Sequence, residues 1–101
     1  MTINKTNEAY KLCDHINKNV CMGFSASKRA DDSVLLEYQG YESKFQLSLE
    51  FHYEYKVWML DMSMYSVNGS FPYMNSDKNQ IGFITLGLAS YNVALNKRLS
   101  K

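Results

Sequence analysis

The runs Ser43-Lys44-Phe45-Gln46-Leu47-Ser48-Leu49-Glu50-Phe51-His52 and Lys56-Val57-Trp58-Met59-Leu60-Asp61-Met62-Ser63-Met64-Tyr65, joined by Tyr53-Glu54-Tyr55, decide the fold. Each run alternates apolar and polar side chains, the period of a strand with one face on a core. So short a break makes them an antiparallel hairpin. Setting apolar opposite apolar places Phe51 against Trp58, Leu49 against Leu60 and Leu47 against Met62. A slip of one residue would bring Glu, Lys or Ser into that row.

Toward the N-terminus the alternation continues in segments 33–38 and 20–26. They are separated by breaks at Gln39–Glu42, around Gly40, and at Ser27–Asp32. The same rule sets Leu36 against Phe45 and Val34 against Leu47. It puts Glu37 opposite Lys44 on the other face, a favourable cross-strand pair. It also sets Phe24 against Val34, Met22 against Leu36 and Val20 against Tyr38. Four strands with short connections form a meander.

Residues 6–18 carry Ala9, Leu12, Cys13 and Ile16 at helical spacing, with Thr6 as the expected N-cap. After the Asn68-Gly69 turn signal, Asp77 and Gln80 resemble a capping box. A helix over 78–98 would put Ile81, Ile84, Leu88, Tyr91 and Leu95 on one face and Gly87, Ser90 and Ala94 on another. Gly82, Gly87 and the β-branched residues between them disfavour helix and leave a strand over 81–86 as the alternative. The expected architecture is α+β, α-β-β-β-β-α, with a four-stranded antiparallel meander and both helices packed on one face. At 101 residues the chain is one domain.

Composition narrows the function classes. Eleven basic and 10 acidic groups give a net charge of +1. That excludes a DNA-mimicking polyanion and a strongly basic nucleic-acid binder. The apolar fraction is 46% and there are 8 Tyr, 5 Phe and 1 Trp, so a core forms without staples. No apolar run is long enough to cross a bilayer, and the first residues lack a signal-peptide core. The reading is cytoplasmic, with Cys13 and Cys21 reduced and independent. Lysine outnumbers arginine nine to two, with abundant Asn, Ser and Tyr, a bias of AT-rich coding regions such as those of phages and mobile elements.

The chemistry-bearing residues are few. There is no nucleophile elbow, no His-Glu-x-x-His and no phosphate-cradling glycine loop. Cys13 and His15 are two apart on a helix and diverge. Cys13, Cys21, His15 and His52 match no zinc spacing. The expectation is no enzyme, no cofactor and no metal. What remains is the sheet face turned away from the helices: Leu35, Glu37, Lys44, Gln46, Ser48, Glu50, His52, Val57, Met59, Asp61, Ser63 and Tyr65. One clear cation against three carboxylates repels phosphate, which makes nucleic acid the weaker partner.

Glu37, Glu50 and Asp61 beside Leu35, Val57 and Met59 suit a basic protein surface. The hairpin tip adds Tyr53 and Tyr55, large contact residues at low entropy cost. Met62 and Met64 are assigned to the core. Phe71 and Tyr73 are assigned to packing against the following helix. The expected function is a non-catalytic protein-binding module, an inhibitor of a host protein from a phage or mobile element, of the anti-defence or anti-CRISPR kind. The expected partner is a host protein with a basic surface patch, with no membrane and with a homodimer through the open face as the variant. Two rivals remain. One is a single-stranded nucleic-acid-binding sheet. The other is a small ligand-binding or enzymatic domain with an unrecognised site.

Overall fold

The computed structural model describes residues 3–19, 23–40, 44–67 and 75–100, the backbone alone at 64–67 and 75–77. Its elements are α1 (Lys5–Asn19), β1 (Phe24–Lys28), β2 (Val34–Gln39), β3 (Lys44–His52), β4 (Val57–Val67) and α2 (Asn75–Leu99). The four strands form one antiparallel sheet in the order β1-β2-β3-β4, so the α+β meander stands as expected. Val20, Cys21, Met22, Phe71 and Tyr73 lie outside the described residues, as do the side chains of Met64, Tyr65 and Asp77.

The N-terminal helix starts one residue earlier than expected. Asn4, not Thr6, caps it: the Asn7 N–H donates to Asn4 Oδ1 at 3.0 Å. Ala9, Leu12, Cys13 and Ile16 are buried. The second segment is helical throughout 75–99, and no strand forms over 81–86. Ile84, Leu88, Leu95 and Leu99 are buried, with Ile81 and Tyr91 packed against them. Periodicity of the apolar residues therefore outweighs the glycine penalty, since tertiary burial overrides a weak local preference.

The sheet keeps the expected faces and corrects two registers. Phe24 meets Tyr38, not Val34, a slide of four positions. Tyr38 meets Phe45, so Leu36 faces Leu47 rather than Phe45, a slide of two. The consequence on the other face is that Glu37 lies opposite Gln46, and the expected Glu37–Lys44 pair is replaced by Gln39–Lys44. Even slides preserve which side faces the core, which is why the inner row survives.

The physical reason is the closure of the β1–β2 loop and an aromatic stack. The β1–β2 loop closes between Arg29 and Ser33 (N–H to C=O, 2.8 Å), with Asp32 at φ 68°, a left-handed position that Asp tolerates. The slide lets Tyr38 pack against both Phe24 and Phe45, with centroids 4.8 and 5.1 Å apart. Gly23 makes room for it. Its φ is 99°, and a Cβ there would lie 2.8 Å from the Tyr38 ring.

The third hairpin pairs as expected at Phe51–Trp58 and Leu49–Leu60. Beyond Ser48–Asp61 the ladder resumes at Gln46–Ser66, so residues 62–65 stand opposite Leu47 alone. This bulge overturns Leu47–Met62 and the placement of Met62 in the core: Met62 is 50% exposed.

The core is the inner row Phe24, Val34, Leu36, Phe45, Leu47, Leu49, Phe51 and Trp58 under the two helices. Trp58 is 1% exposed, its ring edge-on to Phe51 at 5.4 Å. Glu8, buried on α1, joins the helices: Arg98 on α2 donates to it through Nη2 at 2.5 Å and Nη1 at 3.1 Å.

Candidate interaction surface

Alternation along each strand turns a second set of residues to the sheet's outer face. The observed pairing arranges them in rows: Ser25–Glu37–Gln46, then Ser27–Leu35–Ser48–Asp61, then Glu50–Met59, then His52–Val57. The middle row is low. Ser48, small and central, is 2% exposed, and Leu35 and Asp61 beside it are half-buried. Glu37 and Glu50 stand on either side, both exposed. Gln46 and Glu50 are four residues apart on β3, so the acidic rows are roughly 13 Å apart along the strands.

The carboxylates differ in availability. Glu50 makes no hydrogen bond or ion pair among the described residues. Glu37 accepts one bond from Gln46 Nε2 at 3.2 Å. Asp61 is committed to its own chain at the bulge, where Oδ1 accepts from the Ser63 N–H at 3.0 Å and the Ser63 hydroxyl at 2.5 Å. Met59 is exposed opposite Glu50. Of the six residues expected in the site, Glu37, Glu50 and Met59 share the open face with Asp61, while Tyr53 and Tyr55 lie at the β3–β4 tip. Tyr53 leans back, its ring edge-on to Phe51 at 5.3 Å, and Tyr55 projects.

Each edge of the sheet is capped at one residue by an asparagine side chain. Asn17 on α1 accepts from the Ala26 N–H at 2.9 Å and donates to its C=O at 3.0 Å. Asn92 on α2 does the same to Trp58, both bonds at 2.9 Å. Each amide takes the place of a neighbouring strand, so the sheet offers these positions to no incoming one.

A second surface was not anticipated. Asn92 bonding sets α2 along the β4 edge, and Asn96 Nδ2 reaches the Lys56 C=O at 3.0 Å. Phe83, Leu86 and Val93 then point away from the core, with Leu86 70% exposed. Between them and β4 run two grooves. One, of about 970 Å³, is lined by Met62, Ile81, Phe83 and Leu86 among others. The second, of about 380 Å³, lies between Val57 and Val93. The signal in the sequence was that α2 is apolar on more than one side.

In the polar cleft between the helices, with Lys11, His15, Tyr91 and Arg98, both Arg98 and Lys11 reach the Glu8 carboxylate. The Arg98 guanidinium holds the Glu8 carboxyl below the usual carboxylate range, and Glu8 pushes Arg98 up. Burial raises the Tyr91 hydroxyl and the Cys13 thiol, leaving neither activated at neutral pH. His15 lies against the Tyr91 ring at 4.9 Å, and His52 stands on the outer face. Among the described residues no group of three His, Cys, Asp or Glu could hold a metal ion. No described helix is long and apolar enough to cross a membrane. No family model, curated protein or solved structure gives a significant match to the chain.

Proposed function

We propose that this chain is a non-catalytic protein-binding module. It engages a basic surface of a partner protein through the outer sheet face, with Glu37 and Glu50 pairing Lys or Arg and Met59 and Leu35 packing between. The observation that carries this reading is the arrangement of the rows. Two exposed acids stand either side of the shallow, partly apolar Leu35–Ser48 row. The capped edge positions support it, because recognition by strand addition has no free place at Ala26 or Trp58. Tyr55 at the tip extends the contact. Small size and AT-rich composition suit an inhibitor of a host protein, in the manner of an anti-defence factor.

The test is comparative capture from the native host at low and high salt. Wild type and a Glu37→Lys, Glu50→Lys variant would be used, both first shown to be folded. A partner held by wild type and lost by the variant, with binding that weakens as salt rises, supports the reading. Equal capture by both proteins removes the sheet face from the function. Salt-sensitive binding of single-stranded oligonucleotides by wild type would replace the reading with its nucleic-acid rival.

A further inference from the structure

The outer sheet face has a shape as well as a charge. Ser27, Leu35, Ser48 and Asp61, one from each strand, form a row that crosses the sheet. Four strands about 4.8 Å apart make that row roughly 14 Å long. Ser48 near its centre is 2% exposed, and Leu35 and Asp61 are half-buried. The row is therefore the floor of a shallow trough that runs across the strands.

The acids stand on its two walls. Glu37 on β2 rises on one side and Glu50 on β3 on the other, both exposed, in rows roughly 13 Å apart. Lys44 lies one row beyond Glu37 and His52 one row beyond Glu50, both outside the trough. An α-helix with its side chains is about 10–12 Å across, so a single helix fills the space between the walls. A lone extended chain, about 5 Å wide, covers less than half of it.

We propose, resting on the sheet-face reading, that the partner presents one amphipathic helix, which lies in this trough across the strands. Its floor-facing stripe is narrow and apolar, against Leu35 and Ser48. Lys or Arg line both flanks of that stripe, one flank meeting Glu37 and the other Glu50. Such a helix carries its cations where a heptad places e and g, on either side of an a and d seam. Glu37 and Glu50 lie on adjacent strands, so the cations they meet are offset by only about 4.8 Å along the helix. The flexible stems of Lys and Arg span that offset.

Fluorescence anisotropy at low salt tests it, with the full chain and labelled synthetic peptides. Circular dichroism confirms that each protein variant is folded. The probe is a peptide of about three heptads with alanine and leucine at a and d and lysine at e and g. One control has the same charge but two interior prolines, which break the helix. A second keeps the helix and moves the lysines to the side opposite the stripe. The flanked helix should bind at least about tenfold tighter than either control. Glu37→Lys and Glu50→Lys should each weaken it severalfold, because each acid holds one flank. Ser48→Tyr fills the trough, leaves both acids in place and should remove the preference for the flanked helix. If Ser48→Tyr does not fold, Ser27→Tyr obstructs the exposed end of the same row and should weaken the flanked helix severalfold. Equal binding of the flanked and proline peptides, or a folded trough-filled protein that binds as wild type does, overturns the proposal. If the flanked helix does not bind, yet Glu37→Lys with Glu50→Lys still loses the partner captured from the host, the helix falls and the sheet-face reading stands. If neither effect is seen, both fall.

Discussion

Asn92 stands beside Trp58 as a substitute for a fifth strand, its amide oxygen and nitrogen each 2.9 Å from the Trp58 N–H and C=O. An edge strand whose polar groups face a helix must satisfy them there or leave them unpaired. Asn92→Ala deletes both partners at once. It should cost about 1–3 kcal/mol, the penalty for stranding partly buried polar groups. Urea denaturation measures the loss. Asn17→Ala, which opens the more exposed Ala26, should cost less, because water can replace the amide.

Trp58 is fully enclosed, yet its Nε1 makes no hydrogen bond among the described residues. The ring therefore contributes volume and apolar area while its N–H carries a desolvation cost. Trp58→Ala should cost about 3–5 kcal/mol, the usual range for a large core aromatic. Trp58→Phe should cost much less, since it keeps a ring beside Phe51 and removes the unpaired donor. Thermal unfolding of the two variants separates the effects. Equal destabilisation would show that a phenyl ring recovers none of the packing lost with the indole.

The sequence disclosed faces better than it disclosed pairings. Alternation assigns Glu37, Glu50 and Met59 outward whatever the register, because even slides leave side-chain direction unchanged. Register itself depends on turn closure, and neither Asp32 in a left-handed conformation nor the Phe24–Tyr38–Phe45 stack has a signature in alternation alone. Met62 was misplaced because a bulge breaks the period it rests on. The asparagine closures and the Glu8–Arg98 pair link residues 9, 34 and 90 positions apart, beyond the reach of any local pattern. The α2 stripe was legible as apolar residues at 83, 86 and 93, and only the sheet edge shows where they point.

Glu8 is buried, and its pKa is lowered chiefly by the hydrogen bonds from Arg98. The folded state then binds fewer protons than the unfolded state near that pKa. The pair's contribution is therefore complete above the unfolded value, about pH 4.3, and is lost as pH falls through the lower folded value. Arg98→Met should cost about 1–3 kcal/mol at pH 7, because it leaves the buried carboxylate with only the more distant Lys11, 3.8 Å away. It should also reverse the trend: Glu8 stripped of its two arginine bonds is easier to bury protonated, so the penalty shrinks on acidification. Denaturant titrations of wild type and variant at pH 7 and pH 4 measure both effects. A penalty that grows toward pH 4 would show that the pair is not electrostatic in origin.

Asp61 and Glu50 are neighbours on the outer face but carry different burdens. Asp61 Oδ1 holds both the N–H and the hydroxyl of Ser63 where β4 bulges, whereas Glu50 projects without a partner among the described residues. A carboxylate that accepts two short local bonds sets backbone geometry, as Asx turns do. Asp61→Lys should therefore cost about 1 kcal/mol or more by freeing the bulge. Glu50→Lys should stay within about 0.5 kcal/mol of wild type, as surface substitutions do. Thermal midpoints of the two single variants test the division. If both are silent, Asp61 is as free as Glu50 and belongs to the binding surface. If Asp61→Lys alone is destabilising, any loss of binding in that variant reflects damage to β4, and Glu37 and Glu50 are the acids by which the face is to be judged.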